Sequence, residues 1–149
     1  MKIINNNKKA SHEYHIDDRF EAGIVLHGTE IKSIRAGKVS IQDAHVRIRR
    51  SQAYIINMHI AKYKQGGTHF NHDETRERKL LLHKKEILKL DAKVQQDGFT
   101  LIPTKVYLKE GLCKVEIALA KGKKLFDKRQ SLKEKDMKRR MDKQLNQRY

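Results

Sequence analysis

The sequence predicts a mainly β protein, a small antiparallel barrel with flanking short helices and a basic C-terminal tail. Three observations predict it. Short runs rich in Val, Ile and Tyr recur at the two-residue period of half-buried strands, turn signals separate them at short intervals, and beyond residue 120 the composition shifts to Lys and Arg with few apolar side chains. At 149 residues the chain has room for one such domain with a single core and a modest appendage. The expected division is a basic arm at 1–11, a barrel at 12–120 and a basic tail at 121–149.

Residues 1–11 are polar and read as a loosely ordered arm. From Tyr14 to Leu26, the side chains of Tyr14, Ile16, Phe20, Ala22, Ile24 and Leu26 fall on even positions, the signature of a strand with one buried face. Between Gly28 and Gly37 the period changes: Ile31 and Ile34 are three apart, Thr29 is placed to cap a short helix, and Gly37 suits its left-handed end. Ala44 to Ile48 and Ala53 to Ile60 form a hairpin across Arg49-Arg50-Ser51-Gln52. Ala61 to Arg78, with Gly66-Gly67 and no sustained period, reads as a long surface loop. Leu80-Leu81-Leu82 is a short strand, and Ile87, Leu88, Leu90, Ala92 and Val94 lie at helical spacing within 84–96, which Gly98 ends. Thr100 to Leu108 and Leu112 to Ala120 pair across Lys109-Glu110-Gly111. Small barrels of this pattern include the OB-fold, which binds oligonucleotides.

Charge names the class of partner. The chain carries 34 Lys and Arg against 18 Asp and Glu, a net charge of +16, which must sit on the surface and seek a polyanion. Nucleic acid leads, because each clustered cation releases condensed counterions. The clusters are Lys8-Lys9, Arg76 to Lys79, Lys84-Lys85, Lys121 to Lys124, Lys128-Arg129 and Lys138 to Arg140, and Tyr63, Phe70 and Phe126 near them are candidates to stack on bases. Tyr14, an aromatic on a strand, fits the core better. No stretch has the length of a spanning helix and the N-terminus lacks the apolar run of a signal peptide, so a cytoplasmic protein without membrane partners is expected. The lone Cys113 agrees.

Catalysis and metal binding are not expected. His69-Phe70-Asn71-His72-Asp73 lacks the second ligand cluster that a closed zinc site needs, no phosphate-cradling Gly loop or nucleophile elbow occurs, and nothing in the spacing demands an acid–base pair such as His12 with Lys114. No cofactor is implied. Glu21 and Glu30 stand in basic neighbourhoods, where the choice lies between a stabilising ion pair and, for Glu21, acceptance of hydrogen bonds from base amino groups. The tail holds 12 Lys and Arg against 4 Asp and Glu, and Leu132, Met137, Met141 and Leu145 would form only a narrow apolar stripe. Alone it should be disordered or partly helical, ordering against RNA or protein.

Several strings together resemble one family, small protein B, the SsrA-binding proteins that partner transfer-messenger RNA. They are Lys8-Lys9-Ala10 with His12-Glu13-Tyr14, Glu21-Ala22-Gly23, Gly28 through Gly37, Arg78-Lys79-Leu80-Leu81-Leu82, Cys113-Lys114-Val115-Glu116-Ile117, and Ala120 through Lys124 with Asp127-Lys128-Arg129, in the family's order over nearly the whole chain. The resemblance implies an OB-like barrel that binds the tRNA-like domain of transfer-messenger RNA, a tail that enters the empty decoding site and mRNA channel of a stalled ribosome, and a monomer when free. It assigns RNA binding to Glu21, Leu81, His83 and Lys114; Lys8, Lys9, His12, Lys32, Arg35, Arg76, Lys79 and Lys84 join them as basic or hydrogen-bonding neighbours. It assigns ribosome engagement to Gly122, Phe126, Asp127, Lys128 and Arg129, and Lys121, Lys123 and Lys124 join them as basic neighbours. Some relatives carry Asn at the place of His83, and many carry Pro at that of Glu74, which leaves the loop's path open. Competing readings are a general RNA-binding ribosomal protein or RNA chaperone, and a nuclease.

Overall fold

The computed structural model of the chain describes residues 1–64 and 71–123. The elements are β1 (Lys2–Asn6), α1 (Lys8–Glu13), β2 (Tyr14–Ile24), α2 (Gly28–Arg35), β3 (Val39–Ser40), β4 (His45–Arg49), β5 (Gln52–Ile56), β6 (His59–Ile60), β7 (Arg78–Leu81), α3 (Lys84–Asp97), β8 (Thr100–Lys109) and β9 (Leu112–Gly122). The main sheet runs β1-β8-β4-β5-β7-β2-β9, and β8 pairs with β9 as well, so the antiparallel order closes into a barrel of the OB-like kind. β3 and β6 form a separate two-stranded ribbon.

Alternation explains the core. On β7, Leu80 points inward and is buried while Leu81 points outward, and on β9 Val115, Ile117 and Leu119 line the interior. They meet Ile34 of α2, Leu90 of α3, and Ile41, Ile55, Met58 and Val106. Both expected hairpins form. Each turns on two residues of positive φ, Arg50 and Ser51 in one, Glu110 and Gly111 in the other, the turn geometry that matches strand twist. Pro103 sits beside a register shift in β8, where its missing N–H costs the ladder least. The helix 84–97 ends at Gly98 in the left-handed conformation, as the sequence reading expects.

Four expectations need correction. Residues 1–11 are not a loose arm: β1 pairs with β8, and α1 follows. The buried Asn7 does what apolar side chains do elsewhere, accepting from the Ala10 N–H at 3.1 Å and donating to the carbonyls of Pro103 at 2.9 Å and Ile41 at 3.3 Å. Second, Thr29 does not cap α2; His27 occupies the N-cap and donates its backbone N–H to Glu30 at 2.8 Å, while the Thr29 hydroxyl bonds His72 Nδ1 at 2.9 Å. Third, the strand after the first hairpin turn stops at Ile56, because Asn57 takes a positive φ and redirects the chain into β6. Fourth, the barrel does not end at residue 120: Lys121 and Gly122 continue β9, paired with His15 and Tyr14. Tyr14 packs on Ala10, Ile102 and Ala120, in keeping with a core role.

The 73–78 segment is anchored by charge. Glu30 and Arg78 are both fully buried and ion-paired through Arg78 Nε; the same guanidinium donates to the Met58 carbonyl at 2.6 Å and to those of Glu74 at 3.2 Å and Asp73 at 3.3 Å. Arg76 joins from the side, 2.7 Å from Glu30 Oε1. Glu30 therefore serves the fold. Burial alone would raise its carboxyl, yet the hydrogen bonds from Arg76, His27 and Arg78 prevail and hold it below the usual carboxylate range. Glu30→Ala, which leaves Arg78 buried without its counter-ion, should cost about 3–5 kcal/mol in urea unfolding. Since the folded state depresses this pKa, the wild-type contribution is complete above the ordinary carboxylate range and is lost as pH falls through the depressed value. A Glu30→Gln chain should lose that part of the acid dependence, as read from unfolding midpoints between neutral and acid pH.

Candidate nucleic-acid interface

The outward face of β7-β2-β9 gathers residues that lie far apart in the sequence. Gly23 of β2 pairs with Leu81 on one side and with Lys114 on the other, and Lys114 pairs in turn with Tyr107 of β8. Directly paired residues project from the same face, so Leu81, Lys114 and Tyr107 share one row across the sheet. Two residues back along β2, Glu21 lies on the same face, opposite Glu116. Facing carboxylates repel. Here Arg19 approaches Glu116 at 3.6 Å, while Glu21 Oε1 accepts from the Tyr107 hydroxyl at 2.6 Å and has Lys109 at 3.5 Å. The Tyr107 hydrogen bond is the main reason that the Glu21 carboxyl is held below its usual range, aided by Lys109 and Lys114 against partial desolvation. Glu21 thus stays ionised and oriented, an acceptor fixed among cations. Burial and the same hydrogen bond push the Tyr107 phenol upward, so it remains a donor.

Gly23 matters for what it lacks. A Cβ there would meet Leu81 Cβ at 3.2 Å and Cδ1 at 3.5 Å, so the bare backbone lets the Leu81 side chain lie over β2. Leu81 is 53% exposed, unusual for a large apolar side chain.

The structure brings Glu21, Lys79, Leu81 and Lys114 together, with His83 and Lys84 following directly as the N-cap and first residue of α3. Other candidates lie elsewhere. Lys8, Lys9 and His12 belong to α1, beside the opposite end of β2, and Lys9 is paired with Asp43 at 3.1 Å. Lys32 and Arg35 are on α2, Lys32 over the Tyr63 ring at 5.4 Å. Arg76, expected as an RNA contact, is instead committed to Glu30 and to the Val25 carbonyl at 3.3 Å. The His12–Lys114 acid–base pair is ruled out by register: α1 leads into Tyr14, which pairs with Gly122, eight residues along β9 from Lys114. Lys121 and Gly122, expected in the tail, are barrel residues; Lys121 lies 4.5 Å from the Phe99 ring, and Lys123 donates to the Ser11 carbonyl at 2.9 Å. His69, Phe70, Lys124, Phe126, Asp127, Lys128 and Arg129 lie outside the described residues. Sequence reading missed Tyr107, Lys109 and the exposed Val25 and Leu112; strand register assigns Tyr107, Lys109 and Leu112 to this face, and the Val25 hydrogen bond to Lys79 sets Val25 beside them.

Burial pushes the Cys113 thiol up to about 11, which removes it as a nucleophile at neutral pH. Among the described residues no three His, Cys, Asp or Glu side chains converge as a metal site, and no helix is long and apolar enough to cross a membrane.

These features define a class, a basic antiparallel barrel with one outward sheet face of cations, an oriented carboxylate and exposed apolar side chains. Residues 4–147 match the family described as SmpB protein, and the chain belongs to that family. An SsrA-binding protein of Oceanobacillus iheyensis is 61% identical over 142 residues, 95% of this chain and 91% of its own length. The SsrA-binding protein of Staphylococcus haemolyticus is 54% identical, over 96% of this chain and 91% of its own. A chain in the solved structure "tmRNA-SmpB: a journey to the center of the bacterial ribosome" superposes with a TM-score of 0.67 at 47% identity, covering 80% of this chain and 83% of that one.

Two outcomes follow from the site's chemistry. Tyr107→Phe removes the main hydrogen bond on Glu21, so a carboxyl-detected NMR titration should show the Glu21 pKa move up toward its ordinary value. Cys113 should resist a thiol-specific disulfide reagent at pH 8 in the native protein and react promptly once unfolded.

Proposed function

We propose that the chain is a non-catalytic RNA-binding adapter that grips the tRNA-like domain of transfer-messenger RNA through the outward face of β7-β2-β9. It delivers that RNA to stalled bacterial ribosomes for trans-translation in the cytoplasm, acting as a monomer when free. The basic segment beyond Lys123 engages the empty decoding centre and mRNA channel, with Phe126 stacking on an rRNA base and Asp127, Lys128 and Arg129 beside it.

One observation carries the reading. Glu21, Leu81 and Lys114 come from three separate stretches of sequence, and strand pairing sets them around Gly23 on one exposed face. A grip on phosphates alone needs only cations. An oriented carboxylate among lysines adds an acceptor for base amino groups, and therefore selection of one RNA among many. The names of the relatives and the tmRNA-SmpB ribosome structure support the same partner.

Competition binding at matched salt tests it. The chain should bind the tRNA-like domain far more tightly than unrelated RNA of equal length, and equal affinities would mean a general RNA-binding ribosomal protein or chaperone instead. Lys114→Ala should weaken that binding and reduce its salt dependence by about one counterion. Truncation after Lys123 should leave RNA affinity within a few-fold and abolish peptide tagging of stalled chains. Phe126→Ala should likewise spare RNA binding while costing ribosome engagement about 1–3 kcal/mol, the worth of one stacked base. Labelled RNA incubated with the protein, with and without divalent metal, should stay intact.

A further inference from the structure

We infer that Val25 and Leu112 complete, with Leu81, an apolar platform on which one unstacked nucleotide of the bound RNA rests. This builds on the adapter reading and adds contacts on that same face. Large apolar side chains exposed among the described residues are few: Met1, Ile3, Val25, Leu81, Leu88 and Leu112. Three of these six converge at one corner of the sheet. Val25 stands two residues after Gly23, just past the end of β2, and its N–H donates to the Lys79 carbonyl at 2.9 Å, which holds it beside β7. Leu112 precedes Lys114 by two residues on β9 and pairs with Lys109 across the hairpin. Both therefore flank the Leu81–Gly23–Lys114 row on its outer side, 45% and 60% exposed.

The rim identifies the occupant. Lys79, Lys109 and Lys114 border the three apolar side chains, so the patch presents greasy area ringed by positive charge. An apolar peptide gains nothing from that rim, whereas a nucleotide fits both parts: its phosphates meet the lysines, and its base or ribose covers the apolar floor. A nucleotide stacked within a helix hides its base faces, so the floor selects one turned out of the stack. The contact is uncharged, and its share of the affinity should not depend on salt.

The experiment uses the full chain and a transcript of the tRNA-like domain, with affinity measured across a salt series. Leu112→Lys adds a cation yet should lower affinity by about five-fold or more, the loss persisting at every salt concentration. Val25→Asn should act in the same direction. Leu112→Phe, which keeps a broad apolar face, should bind within about two-fold of wild type or more tightly. Lys109→Ala should instead flatten the salt dependence by about one counterion. Leu112→Lys binding as tightly as wild type, or Leu112→Phe losing as much as Leu112→Lys, would overturn the platform. Either result would leave the adapter reading intact so long as wild type still prefers this RNA over an unrelated one.

Discussion

The contact on which the rest depends is the buried pair of Glu30 and Arg78. Taking two charges out of water is costly, and only nearly complete hydrogen bonding makes it tolerable. Here the guanidinium reaches the carbonyls of Met58, Asp73 and Glu74 as well as Glu30, and Arg76 and the His27 N–H satisfy the carboxylate further. One side chain thus ties α2, the approach to β6, the segment before β7 and β7 itself. Since Lys79 and Leu81 follow Arg78 on β7, the geometry of the outward cationic face is set by a residue that faces the other way.

That arrangement resolves a conflict in a strongly cationic chain. A net charge of +16 favours phosphate binding but opposes compaction. The acids are few, and several stand where repulsion would be worst: Glu30 inside, Glu116 beside Arg19, Glu21 beside Lys109, Asp43 beside Lys9. Glu21 serves twice, relieving lysine crowding and offering an oriented acceptor. Its orientation is borrowed from Tyr107, a residue on another strand.

Much of this was legible in the sequence, and what was not has physical causes. Period-two alternation placed β2, the Lys109-Glu110-Gly111 turn signal placed β8 and β9, and Gly98 ends its helix where turn chemistry predicts. The first eleven residues were misjudged because counting apolar side chains overlooks a polar one such as Asn7, which docks through four hydrogen bonds including its own N–H to Thr104. Arg76 looked like a free cation because its partner Glu30 is 46 residues away. Of the site, Glu21, Leu81, His83 and Lys114 were named through family resemblance, yet composition could not say that Tyr107, Lys109, Val25 and Leu112 share their face. That knowledge resides in register, which a single sequence does not display.

The unbroken run of β9 has a geometric meaning. Lys114 stands near its beginning and Gly122 at its end, where pairing with Tyr14 and the Lys123 contact to Ser11 hold the strand's last residues. At strand rise these points are separated by roughly 25 Å. A rigid hydrogen-bonded rod of fixed length therefore spaces the Leu81–Gly23–Lys114 row from the strand's end at Gly122, so that the two cannot drift relative to each other. The barrel is in this sense a ruler, and the distance it sets separates the outward cationic row from the end of the sheet that α1 covers.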